Sequence, residues 1–166
     1  MKYLKKFNES SSYDFPNAEE AVKKIDYFIS QMSDYEYDLV RKEGFDLDYS
    51  NNISYFFRVY PNDLPLGVSD SIRKSIPARI VLNIYTNNES RDKLKLKSLY
   101  KDLEFLPHAL KMEGLYTEME YIESKDVGND YIVFTIFDTE KELELWEEKS
   151  RFSKNWNEVK KRQENS

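Results

Sequence analysis

The chain has 166 residues, 25 of them Lys or Arg against 31 Asp or Glu, a formal charge of −6, with 40% apolar and 34% charged residues. One His, no Cys and four Gly leave almost no general base, thiol nucleophile or phosphate-cradling glycine loop, and an acidic surface opposes non-specific binding to nucleic acid or anionic lipid. A chain of this length fits one domain and buries roughly 70% of its unfolded surface without disulfides or metals.

Residues 1–16 are polar, with Ser10, Ser11 and Ser12 in the middle and Pro16 at the end, and read as an extended N-terminal arm. The opening has no apolar stretch of signal-peptide length. No window anywhere approaches about 20 consecutive apolar residues. With the absence of Cys, this predicts a cytoplasmic protein without a membrane span.

Asn17 suits a helix N-cap, and Glu20 follows as in a capping box. Val22, Ile25, Phe28, Ile29 and Met32 recur at helical spacing and predict one apolar face. Residues 34–43 continue the helix through Tyr35, Leu39 and Val40, with Gly44 as its stop. Phe45, Leu47 and Tyr49 alternate with Asp46 and Asp48, as in a short edge strand, before the turn residues Ser50, Asn51 and Asn52.

Ile53, Tyr55, Phe57 and Val59 alternate and predict a strand, and residues 80–85 read as a central strand covered on both faces. The connection between them, 61–77, is longer than most loops without structure of their own. A second helix opens near residues 87–90 and carries Leu96, Leu99, Tyr100, Leu103 and Leu106, and Pro107 kinks or ends it. Leu115, Thr117, Met119 and Tyr121 form one face of a strand, residues 127–130 a turn, and 131–137 a second strand covered on both faces. Thr139 and Glu142 form a capping box for a third helix containing Leu143, Leu145, Trp146, Phe152, Trp156 and Val159. Residues 163–166 form a frayed tail.

The predicted fold is α+β, a four- to five-stranded antiparallel sheet with helices mainly on one face, in the order α-β-β-β-α-β-β-α. One domain covers residues 17–162. Two strand–strand–helix units, 53–106 and 115–150, suggest a pseudo-repeat in element order. The expected core contains Ile25, Phe28, Phe57, Val81, Leu82, Leu103, Val133, Phe134 and Trp146.

The opening Met1-Lys2-Tyr3-Leu4-Lys5-Lys6-Phe7-Asn8-Glu9-Ser10 resembles a start shared by small uncharacterised proteins of large contractile-tailed bacteriophages, and Glu43-Gly44-Phe45 resembles their step into a strand. The resemblance implies a bacteriophage-like origin and carries no catalytic residues.

Several clusters bear chemistry. Asp46, Asp48, Ser50 and Asn51 open like a calcium loop, but Asn51 stands where the loop needs Gly and Phe57 where it needs a bidentate Glu. An acidic edge strand is the simpler reading. His108, at the helix break, could act as a base with Glu104 one turn earlier, although an ordinary helix-end histidine explains it as well. Acidic runs at 34–48, 113–126 and 138–148 hold six, five and six acids against two, one and one bases. They either keep the protein soluble or mimic a nucleic-acid backbone toward a basic partner. Tyr13, Tyr35, Tyr37, Tyr49 and Tyr60 suit an interface or ordinary half-burial.

The best candidate surface is the long connection, where Ser69, Ser71, Arg73, Lys74 and Ser75 place hydroxyls and cations together on an acidic protein. Ser71 is the expected cap of a short helix over 72–76. The reading favoured is a non-enzymatic protein-binding domain, an accessory or inhibitor of a host or virion protein, with no cofactor, no metal and no direct nucleic-acid contact. The alternative is a carboxylate- and divalent-metal-dependent hydrolase of a phosphate-containing substrate.

Overall fold

The computed structural model describes residues 15–32, 37–45, 53–75, 77–86, 90–124, 129–149 and 163. In chain order these form α1 (Ala18–Met32), β1 (Leu39–Arg41), β2 (Ile53–Tyr60), α2 (Asp70–Ser75), β3 (Arg79–Tyr85), α3 (Ser90–Asp102), α4 (Leu106–Met112), β4 (Tyr116–Ile122) and β5 (Tyr131–Phe137). A further helix, α5, covers the described residues 140–149, and the expected continuation through Phe152, Trp156 and Val159 lies outside the described residues. The fold is α+β, and its five strands lie in the order β1-β2-β3-β5-β4.

Alternation decides which side chains meet. Phe57 lies opposite Leu82, and Leu82 opposite Phe134, which in turn faces Met119. Because successive side chains point to opposite faces, Ile53, Tyr55, Ile80, Leu82, Ile84, Ile132, Phe134 and Ile136 form one continuous apolar face, all buried. Three helices cover it. α1 contributes Ala21, Ile25, Ile29 and Met32, α3 contributes Leu96 and Leu99, and α4 contributes Leu106 and Leu110. Of the expected core, Ile25, Leu82, Leu103 and Phe134 are fully buried, and Phe28 and Phe57 pack partly buried against it.

Val81, Val133 and Trp146 belong to the opposite face and are only half-buried. That face has its own aromatic cover. The Phe45 ring lies 4.9 Å from Tyr85 and 6.3 Å from Tyr131. Trp146 of α5 lies 5.8 Å from Phe137. The Arg79 guanidinium sits 4.6 Å from the Tyr60 ring and 5.0 Å from Trp146. Burial pulls its pKa down, with Tyr60 acting in the opposite sense. α5 therefore takes the opposite face from α3, so the two strand–strand–helix units are not related by a rotation about the sheet normal, and the pseudo-repeat stops at the strands.

Of the expected helix over 34–43, residues 34–36 lie outside the described residues and the rest is not helical, since Leu39–Arg41 form β1, which pairs with β2 in parallel. Ile53 donates to the Asp38 carbonyl at 3.0 Å, and Lys42 N–H donates to the Tyr55 carbonyl at 2.8 Å. Leu39 then lies on the core face, and the Arg41 guanidinium caps Phe57 at 5.0 Å. Sheet pairing outweighs a weak local helical pattern here. The sheet is thus mixed, antiparallel across four strands and parallel at β1. Gly44 marks no helix end. A Cβ there would lie 2.6 Å from Arg58 Nη2, and Arg58 Nη1 reaches the Glu43 carbonyl at 2.8 Å. The edge strand expected at 45–49 lies outside the described residues beyond Phe45.

The helix pair obeys its proline. α3 ends at Asp102, a turn follows, and Pro107 falls in the first turn of α4, where its missing N–H is harmless. Of the expected arm, residues 1–14 lie outside the described residues. Phe15 is buried in the core. Asn17 precedes α1 with a φ of 52°, a left-handed conformation that Asn tolerates, and its carbonyl accepts from Ala21 at 3.0 Å.

Candidate functional site

The long connection between β2 and β3 is anchored at its base. Pro61 is buried, Val59 N–H donates to Asp63 Oδ2 at 2.6 Å, and Asp63 N–H returns to the Val59 carbonyl at 2.8 Å. Gly67 has a φ of 100°, which few other residues adopt without strain. The chain then enters α2, whose start is held by Ser69 rather than Ser71, with Ile72 N–H donating to Ser69 Oγ at 3.4 Å and the two hydroxyls 3.2 Å apart. Ser69 and Ser71 are thus joined to each other at the exposed end of α2. Arg73, Lys74 and Ser75 continue α2, with side chains outside the described residues.

What the sequence reading missed on this connection is apolar. Leu66 is 100% exposed and Ile72 52% exposed. Two large aliphatic side chains on one surface segment were legible as apolar residues in a polar stretch. Hydroxyl and cationic residues follow them closely in the sequence.

A second feature comes from residues remote in sequence. Where α1 begins, α4 turns into β4 and β5 ends, a cleft of about 390 Å³ opens between Asn17, Glu20, Lys24, Glu113, Leu115 and Asp138. Lys24 Nζ pairs with Glu113 at 3.5 Å. Burial pushes the Asp138 carboxyl up, and burial together with the Asp138 charge raises Glu142. A hollow of about 360 Å³ shares Glu20, Lys24 and Glu113 and extends to Tyr27 and Phe28. Among the described residues no three His, Cys, Asp or Glu side chains group closely enough to hold a metal ion. Nothing in the sequence links these residues, because they come from three separate elements.

The remaining candidates do not converge. His108 and Glu104 are both exposed, and neither has an interaction among the described residues that would draw them into one catalytic unit. The calcium-like run 46–51 lies outside the described residues, as do Tyr13, Tyr35 and Tyr49. Tyr37 is 5% exposed, and its hydroxyl donates to Asp102 Oδ2 at 2.6 Å and lies 2.9 Å from Ser98 Oγ. It fastens the segment before β1 to α3. Tyr60 is half-buried beneath Arg79.

The described residues form an α+β fold with a mixed sheet, three helices over one face, α5 on the other, and an anchored surface connection carrying exposed aliphatic residues. The chain matches no protein-family model, no curated protein and no solved structure. No described helix is long and apolar enough to cross a membrane.

Proposed function

We propose that this protein is a non-enzymatic protein-binding domain whose contact surface is the connection between β2 and β3. The phage-like opening residues favour an accessory or inhibitory role toward a host or virion protein. One observation carries the reading, namely Leu66 and Ile72 standing exposed on a segment whose base is pinned by Pro61 and Asp63. Burying each against a partner is worth roughly 1.5–3 kcal/mol, and an anchored segment loses less conformational entropy on docking. Ser69 and Ser71 supply polar groups at the rim of such a contact, and the sequence adds Arg73, Lys74 and Ser75 on the same helix.

A photo-activatable phenylalanine analogue at position 66 tests this. Discrete covalent adducts that unlabelled protein competes away are expected. The double variant Leu66→Ser, Ile72→Ser should capture none of the same partners while keeping its melting temperature. Equal capture by that variant overturns the assignment.

The hydrolase alternative draws on the cleft lined by Glu20, Glu113 and Asp138, three carboxylates that do not group closely enough to hold a metal ion. Among the described lining residues Lys24 is the one cation, and it is paired with Glu113, so this lining favours a cation over a phosphate ester. Calorimetry with calcium, magnesium and manganese separates the two readings. A sub-micromolar dissociation constant abolished by Asp138→Asn would favour the hydrolase.

A further inference from the structure

We infer that this protein associates head to tail, the basic outer face of α3 in one copy docking on the acidic outer face of α5 in a second copy. α3 (Ser90–Asp102) holds five Lys or Arg against two Asp. α5, over 140–149, holds five Glu against two Lys. The two helices lie on opposite faces of the sheet, α3 through Leu96 and Leu99 in the core and α5 through Trp146 against Phe137. One copy therefore cannot bring its own basic and acidic helices together, whereas two copies can.

Helical spacing decides which side chains each face presents. Leu96, Leu99 and Leu103 are fully buried, and at about 100° per residue Leu94, Lys97 and Lys101 fall on the side turned away from them. Leu94 is 70% exposed. Phe105, just past the helix but still helical with φ −72° and ψ −22°, extends the stripe and is also exposed. Lys101 is exposed and has no ion pair among the described residues. Lys97 pairs with Glu123 at 3.3 Å, but both ends are exposed, and such a pair holds a lysine weakly. On α5, Leu143 and Trp146 are half-buried, whereas Glu140, Glu144 and Glu148 recur every fourth residue on the exposed side. Leu145 beside them is 50% exposed. No ion pair among the described residues engages these three carboxylates.

Each face thus joins an exposed leucine to like charges spaced one helical turn apart. Laid against each other, Leu94 meets Leu145, and the ammonium row meets a carboxylate row of the same four-residue spacing. The lysine stems add apolar cover around the leucines. The same charges reject the symmetric alternatives, since α3 on α3 sets lysine against lysine and α5 on α5 sets glutamate against glutamate. Giving and receiving faces differ, so the contact is heterologous. Each pair of copies keeps one open face of either kind, and association continues beyond two. The inference does not rest on the β2–β3 connection, so the two surfaces are tested separately.

Sedimentation velocity of the full chain from about 10 μM to about 1 mM reads the association, because two short helices make a small contact of the transient class. The expected result is a mass that rises with concentration past that of a dimer. The double variants Lys97→Glu, Lys101→Glu and Glu144→Lys, Glu148→Lys should each weaken association at least about tenfold, with melting temperatures near the parent's. An equimolar mixture of the two should associate again, since the reversed α3 of one then meets the reversed α5 of the other. Leu94→Ser changes no charge and should weaken association at least about threefold, and it decides the matter alone if a charge variant melts early. Leu66→Ser, Ile72→Ser should associate as the parent does. A parent that stays monomeric at the highest concentration, growth that stops at the dimer, charge variants or Leu94→Ser that associate like the parent, a mixture that stays monomeric, or loss of association in Leu66→Ser, Ile72→Ser would each overturn the inference.

Discussion

At the scale of single residues, the buried carboxylate of Asp130 is the most exacting feature. It is 0% exposed, and accepts from the Tyr121 hydroxyl at 2.6 Å and from Ser124 N–H at 3.0 Å, with Lys93 Nζ 3.6 Å away. Burial alone would raise its pKa, but the bonds from Tyr121 and Ser124 and the Lys93 charge more than offset this and hold it below the usual carboxylate range. A carboxyl whose folded pKa is depressed contributes stability that is present above its unfolded value of about 3.9 and is lost as pH falls through the folded value. Asp130→Asn should therefore cost about 2 kcal/mol at pH 7, and the gap between variant and parent should close below about pH 4. Urea unfolding at pH 7 and pH 3 checks both statements. In the sequence Asp130 is the last residue of a polar turn. Its role was illegible because Tyr121 and Lys93 come from β4 and α3.

At the scale of elements, local chemistry was legible where one segment decides the outcome. Thr139 caps α5, its Oγ1 accepting from Glu142 N–H at 3.2 Å, as the capping box implied. Thr139→Ala should cost about 1 kcal/mol, read by thermal unfolding. β1 was not legible, because a three-residue strand exists only through the neighbour it pairs with, and Leu39 and Val40 fit a helical spacing equally well. The connection 61–77 stands out by its length, and its helix starts at Asp70 rather than at Ile72. Replacing residues 64–75 with a short Gly/Ser link should leave the melting temperature within a few degrees, because loop-closure entropy changes slowly with length and Leu66 and Ile72 are exposed. A large drop would show that the segment supports the sheet.

At the scale of the whole molecule, the strand pattern was the clearest signal. Phe134 sits at the centre of β5, fully buried and opposite both Leu82 and Met119. Phe134→Ala should cost roughly 3–5 kcal/mol, and a measured loss below about 1 kcal/mol would contradict its central place. What sequence could not show was the division of labour between faces, since Val81 and Phe134 look alike until the register is known. Two phenols then bear on the molecule as a whole. Tyr55 donates to Asp26 Oδ1 at 2.7 Å and Tyr121 to Asp130 Oδ2 at 2.6 Å. Burial first, and the adjacent carboxylate second, push both far above the usual tyrosine range. Their raised folded values contribute stability that is full below about pH 10 and is lost as pH climbs further. These two of the 13 tyrosines should thus stay dark in the ultraviolet tyrosinate band while exposed ones ionise. A late rise in that band should coincide with loss of the far-ultraviolet dichroism, making the protein's own absorbance a reporter of its alkaline unfolding.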